Sequence, residues 1–152
     1  MHVVDVKTAI RPVNSLMAAV AVYIGACIAA NALVFSFPVL LAVIAAFLVA
    51  SGGQAINDYF DFELDHSHSP KYRHLTLEKK HHLAVLAVAL FVAGNIASFF
   101  INPLTLQISL LITVLLIVYS AVLAKAKFVG NIVVALGTAL PLVFGAAVFG
   151  RF

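Results

Sequence analysis

Between residues 57 and 65 the chain reads Asn-Asp-Tyr-Phe-Asp-Phe-Glu-Leu-Asp, at the end of a long apolar run. Asp58, Asp61 and Asp65 are spaced i, i+3 and i+7. At about 100° per residue they fall within roughly a 60° arc of one helix face, with Glu63 on the far side. Three carboxylates on one stripe repel each other unless something joins them. A hard cation such as Mg²⁺ suits them, because it takes one or two protein carboxylates and completes its shell with water and substrate phosphates. A helix end whose acids merely solvate is the plainer account, but acids beside a membrane segment are rare and usually functional.

Basic residues gather in the same parts of the chain. Arg11 precedes Pro12 and Asn14, and Lys71, Arg73, Lys79 and Lys80 follow the acids. Lys125 and Lys127 lie between the last two apolar segments. Acids that collect Mg²⁺ and bases that meet phosphate oxygens together describe a pyrophosphate site, with charge-assisted hydrogen bonds from Lys and Arg. Any single Lys is explained equally well by membrane topology; Arg11, beside the polar Asn14, is harder to explain that way. His66, His68, His74, His81 and His82 match no closed metal-site spacing and read as interfacial polar residues.

The elements that must position these groups are membrane helices. The chain is 64% hydrophobic and 10% charged, against about 45–50% and about 25% for soluble domains. That composition predicts an all-α, polytopic integral membrane protein, and it makes nucleic-acid binding a poor explanation of the net charge of +3. Five segments are long enough to span about 30 Å of hydrocarbon, near 13–35, 37–56, 83–101, 104–124 and 129–149. The second runs on into the acidic stretch. The first exceeds the length of a signal-peptide core. Eight of the nine Lys and Arg fall on one side of this five-span arrangement, all but Arg151. The positive-inside rule then puts the N-terminus, the acids and the 57–82 connection in the cytoplasm, as expected at a cell (plasma) membrane. The segment from Thr76 reads as a helix start with Thr76 as its cap. Cys27, the one cysteine, has no intramolecular partner and reads as a small hydrophobe.

Taken in order, these residues resemble the UbiA superfamily of intramembrane prenyltransferases. Asn57-Asp58-x-x-Asp61-x-x-x-Asp65 looks like its first aspartate-rich motif, and Arg11-Pro12-x-Asn14 like its N-terminal signature. Gly52-Gly53-x-x-x-Asn57-Asp58 is similar to its second-helix approach. Tyr119-Ser120, then Gly130-Asn131, is similar to its fourth-to-fifth helix connection, with Gly137 and Gly145 following. The run from Arg11 to Met17 looks most like archaeal members that make ether-lipid precursors.

The resemblance implies Mg²⁺ held by Asp58, Asp61 and Asp65, gripping the pyrophosphate of an allylic prenyl donor. Asn57 joins these acids in the implied catalytic set. Arg11, Asn14, Arg73, Lys125, Lys127 and Asn131 are the implied pyrophosphate-binding residues. An allylic carbocation would develop between the helices and be attacked by a hydrophobic or phospholipid-precursor acceptor drawn from membrane lipid. The sequence also departs from the family. His66 to His74 replaces an expected Asn-Lys-Pro-x-Arg-Pro run, Lys125 stands one place late, and a second aspartate-rich motif does not occur. Residues 1–152 are therefore expected to form the N-terminal part of a family domain, with further helices supplied in cis or by a second chain. Prenyl transfer to an aromatic acceptor of a quinone pathway, or a non-catalytic membrane transport or assembly role, are the alternatives.

Overall fold

The computed structural model describes residues 9–65, 77–122 and 127–150, with side chains placed for 9–61, 80–122 and 136–150. Five helices follow one another: α1 (Pro12–Ala30), α2 (Phe37–Asp65), α3 (Leu77–Phe99), α4 (Pro103–Ala121) and α5 (Lys127–Ala146). A single 3₁₀ turn, Ala147–Phe149, closes α5. No strand occurs among the described residues. The first four helices are long and apolar enough to cross a membrane, and a shorter apolar segment, Leu136–Phe149, follows. The all-α bundle expected from composition is what forms.

The helix ends have local causes. Proline opens α1 and α4, where its missing N–H costs nothing. Asn102 and Thr105 form a reciprocal capping box: the Thr105 N–H donates to Asn102 Oδ1 at 2.9 Å, and the Asn102 N–H to Thr105 Oγ1 at 3.3 Å. The first expected span, drawn to Phe35, ends instead at Ala30. Asn31 takes a left-handed conformation (φ 52°), and its N–H returns to the Cys27 and Ile28 carbonyls. Asparagine tolerates that conformation and stops the helix. The third helix begins at Leu77, ahead of its apolar stretch, where the sequence expects a helix start; Thr76 itself lies outside the described residues.

Helix α2 has 29 residues, about 43 Å at 1.5 Å per residue, against about 30 Å of hydrocarbon. Its last turns, which carry the acids, therefore stand at or beyond the membrane edge. Connections alternate between the two ends of the bundle. The Arg11–Asp58 ion pair puts the start of α1 beside the end of α2. At the opposite end, Asn102 Nδ2 donates to the Ala147 and Val148 carbonyls, tying the α3–α4 turn to the end of α5.

Small residues let the helices approach. A Cβ at Gly52 would lie 2.9 Å from the Phe91 ring, and one at Gly53 2.9 Å from Leu116. The two glycines thus bring α2 against α3 and α4. At Gly25 and Gly145 a Cβ would run into backbone, the Leu142 carbonyl and the Val22 carbonyl respectively. The α1–α5 pair is therefore in backbone contact at both glycines, the mode of association that works between helices in lipid. Below mid-height, Val22, Ala26, Val39, Ala42, Ala45, Phe144 and Val148 form a buried apolar cluster that joins α1, α2 and α5.

Candidate active site

The site begins with two links between α1 and α2. Arg11 precedes a proline, which disfavours the right-handed helical region, and it adopts φ 40°, ψ 69°. That left-handed geometry is uncommon for a non-glycine residue. It breaks the chain direction at the mouth of α1 and leaves the Arg11 carbonyl accepting from the Asn14 and Ser15 N–H groups. Ser15 Oγ donates to the Ile10 carbonyl at 2.9 Å, and Ser51 Oγ donates to Ser15 Oγ at 2.9 Å, both serines buried. Seven residues along α2 from Ser51, on the same face, Asp58 Oδ1 accepts from Arg11 Nη2 at 2.6 Å. Asp58 is buried, and the Arg11 side chain is 40% exposed.

One turn further, Asn57 Nδ2 donates to Asp61 Oδ2 at 2.7 Å. The i, i+4 neighbours expected from the sequence are thus hydrogen-bonded, and Asp58 and Asp61 project from consecutive turns. Lys80 Nζ sits 4.8 Å from the centre of the Tyr59 ring, bringing the start of α3 to the same end of the bundle.

Below this polar end lies a cavity of about 510 Å³ between α1, α2, α4 and α5, within the usual range for small-molecule sites. Arg11, Asn14, Gln54, Asn57, Tyr119 and Ser120 stand at its upper end. Its deeper wall is apolar, with Ala46, Val49, Ile112 and Phe144 among its members. Ser109 also faces it; its hydroxyl is buried and has no hydrogen-bond partner among the described residues.

Of the residues singled out from sequence, Arg11, Asn14, Asn57, Asp58 and Asp61 come together at this mouth. Helix α2 reaches Asp65 and α5 starts at Lys127 and includes Asn131, but the side chains of Asp65, Lys127 and Asn131 lie outside the described ones, as do Arg73 and Lys125 altogether. Gln54, Tyr119 and Ser120 border the same opening and were not among the expected site residues. Gln54 carried a signal: it is a polar residue in an apolar run, three residues before Asn57, hence on the same face.

The donor set fits a hard cation. Asp58 and Asp61 offer carboxylate oxygens one turn apart at the mouth of a cavity. Among the described residues no group of three or more His, Cys, Asp or Glu forms a closed metal cage. Mg²⁺ is a hard cation of this kind, since it takes one or two protein carboxylates together with substrate phosphates.

A long acid-bearing helix, an anchored arginine and an apolar chamber make an all-α membrane bundle with a polar, charged mouth over an apolar interior. The UbiA prenyltransferase family profile matches residues 18–152, and the chain belongs to that family, whose members are generally metal-dependent. It is similar to digeranylgeranylglyceryl phosphate synthase of Thermococcus kodakarensis, 34% identical over 143 residues, covering 93% of this chain and 51% of the relative. The synthase of Methanoregula boonei is 37% identical over 142 residues, covering 92% and 50%. A solved structure from work on digeranylgeranylglyceryl phosphate synthase in membranes superposes with a TM-score of 0.81 at 27% identity, covering 92% of this chain and 50% of that one. The chain thus spans about half the length of the relatives it matches. It is an integral membrane protein.

Proposed function

We propose that residues 1–152 form the N-terminal part of a membrane enzyme that transfers a polyprenyl group from an allylic prenyl pyrophosphate to geranylgeranylglyceryl phosphate, in ether-lipid synthesis. The supporting observation is one juxtaposition: the Arg11–Asp58 and Asn57–Asp61 pairs stand directly over an apolar chamber. The head of such a donor needs the first, and its tail needs the second.

In this reading Asn57, Asp58, Asp61 and Asp65 form the catalytic edge of α2. Mg²⁺ held by Asp58, Asp61 and Asp65 would neutralise the departing pyrophosphate. Arg11 keeps further guanidinium donors beyond the one on Asp58, and these receive phosphate oxygens alongside Asn14. Arg73, Lys125, Lys127 and Asn131 supply the rest of the pyrophosphate grip. The bond between prenyl C1 and the pyrophosphate oxygen breaks, and its electron pair leaves with pyrophosphate. The acceptor hydroxyl oxygen then bonds to C1 and releases its proton. Apolar walls keep water from quenching the allylic cation in between, and Tyr119 lines the chamber's upper end. The acid-bearing end faces the cytoplasm of the cell membrane, where eight of the nine Lys and Arg lie.

The test is reconstitution in vesicles with the remaining helices of a family domain, supplied in cis or as a separate polypeptide. With Mg²⁺, geranylgeranyl pyrophosphate and geranylgeranylglyceryl phosphate, the expected products are the doubly prenylated ether lipid and pyrophosphate. Transfer to an aromatic acceptor and not to the glyceryl phosphate would overturn the acceptor assignment.

A further inference from the structure

The chamber has a measurable depth on each wall. On α2 it is lined from Asn57 down to Ala45, twelve residues, or about 18 Å at 1.5 Å per residue. On α4 it runs from Ser120 down to Ser109, eleven residues, or about 16 Å. Both walls stop at the same level, because the deepest lining residues of the other helices, Val22 of α1 and Phe144 of α5, belong with Ala45 to the buried apolar cluster. Val22 and Ala45 are 0% exposed and Phe144 3%. The cavity ends where that core begins.

The floor is also held rigidly. Phe144 is followed by Gly145, whose Cα rests on the Val22 carbonyl, and Gly25 rests on Leu142 from the other side. With backbone against backbone on both sides of Phe144, neither helix can retreat without breaking the α1–α5 contact. A packed core of this kind resists added volume.

We infer that Phe144, seated against Val22 and Ala45, is the floor that sets the length of prenyl tail the site accepts, at about four isoprene units. An extended chain advances about 1.2 Å per covalent bond, so a four-bond isoprene unit spans about 4.8 Å and the wall of about 18 Å holds nearly four. The inference rests on the chamber being the prenyl site and adds to it the residue that limits its ligand. Halfway up, Gly137 lines the chamber, and no described residue comes within 4 Å of where a Cβ would stand. A side chain grafted there enters open space, and it replaces a poor helix former.

The test compares binding of geranyl, farnesyl, geranylgeranyl and geranylfarnesyl pyrophosphates, with Mg²⁺, to the full chain in bicelles, with inorganic pyrophosphate as the tail-free reference. Affinity should rise with each unit up to geranylgeranyl, and the five-unit tail should bind about tenfold more weakly, as overpacking dictates. Phe144→Ala should remove that penalty. Gly137→Leu should move the optimum to two or three units without lowering thermal stability, so that a folding defect in Phe144→Ala leaves the inference still exposed to refutation. A wild-type affinity that keeps rising through five units, or a Gly137→Leu profile identical to wild type, would overturn the floor alone. Prenyl pyrophosphates binding no better than inorganic pyrophosphate at any length would overturn the prenyl-site reading beneath it.

Discussion

Arg11 Nη2 lies 2.6 Å from Asp58 Oδ1, so the first residue before α1 is joined to the acid edge of α2, 47 positions away in sequence. The pair is partly open to solvent on the arginine side but its aspartate is buried, so it is worth more than the about 0–1 kcal/mol of an exposed ion pair. Its consequence is positional: a guanidinium is held among the carboxylates where a pyrophosphate would arrive. Arg11→Ala should therefore lower stability by about 1–3 kcal/mol, because a buried carboxylate loses a charged partner, and weaken Mg²⁺–pyrophosphate binding about tenfold. Arg11→Lys should restore only part of it, because Lys keeps the charge and loses the planar fork. Calorimetric titration beside thermal unfolding separates the two effects. A large drop in stability with unchanged pyrophosphate affinity would mean that the pair is structural.

The acid stripe makes a sharper demand. Asp61 accepts from Asn57 on the cavity side of α2, whereas Glu63 lies on the opposite face by helical phase. Asp61→Ala should reduce Mg²⁺-dependent pyrophosphate binding by about 100-fold, and Asn57→Ala by about tenfold as the loss of a group that orients a metal ligand. Glu63→Ala should stay within about twofold of wild type. Titrations with Mg²⁺ present and after chelation would show it, and equal losses at Asp61 and Glu63 would end the one-face argument.

Much of this was legible because membrane helices write themselves plainly. Apolar length gave the helices, and the i, i+3, i+7 spacing put Asp58 and Asp61 on one edge before any coordinates. The glycine pair at 52 and 53 stood out as part of the second-helix motif, and Phe91 and Leu116 are the neighbours it lets come close. What sequence left hidden depended on contacts between distant residues. Nothing local says that Arg11 turns left-handed and reaches Asp58, or that Ser15 and Ser51 share a hydrogen bond. The end of α1 at Ala30 was missed because apolar residues continue to Phe35, and only the backbone conformation of Asn31 stops the helix. Gln54 and Tyr119 were passed over because a cavity mouth is assembled from three helices and has no period of its own.

Backbone contact between α1 and α5 gives a stability prediction. A methyl group at Gly145 would overlap the Val22 carbonyl, and one at Gly25 the Leu142 carbonyl. Backbone cannot swing aside as a side chain does, so Gly145→Ala or Gly25→Ala should cost about 1–3 kcal/mol. Gly137→Ala, which meets open space, should be neutral or stabilise by up to about 1 kcal/mol through helix propensity. Thermal unfolding in one detergent, followed by circular dichroism, orders the three.

Orientation can be read by labelling. In the proposed orientation the connection after Asp65 faces the cytoplasm and the α1–α2 connection lies outside. In a Cys27→Ala background, Ser67→Cys should react with a membrane-impermeant thiol reagent only in inverted vesicles. Ser36→Cys, at an exposed position between α1 and α2, should react only in intact cells. Labelling of both from the same side would show that one helix does not cross.

The final expectation concerns what one set of helices can do. Preorganised charge over a leaving pyrophosphate is usually the largest single contribution to catalysis of this kind, and here the described carboxylates come from one helix edge. The acids beyond the motif are Asp5 and Glu78, and neither forms part of a second aspartate-rich motif. An allylic cation also needs enclosure on every side, and the relatives are about twice as long as this chain. The 152-residue chain by itself should therefore bind Mg²⁺ and prenyl pyrophosphate weakly and show no prenyl transfer. Adding the remaining helices of a family domain, fused or as a separate polypeptide, should bring turnover back, and Asp61→Ala should abolish the restored activity. A radiolabelled prenyl-transfer assay on the purified chain decides the matter. Robust turnover without added helices would refute the half-domain reading and would require two copies of the chain to face their Asn57–Asp65 edges across one shared site.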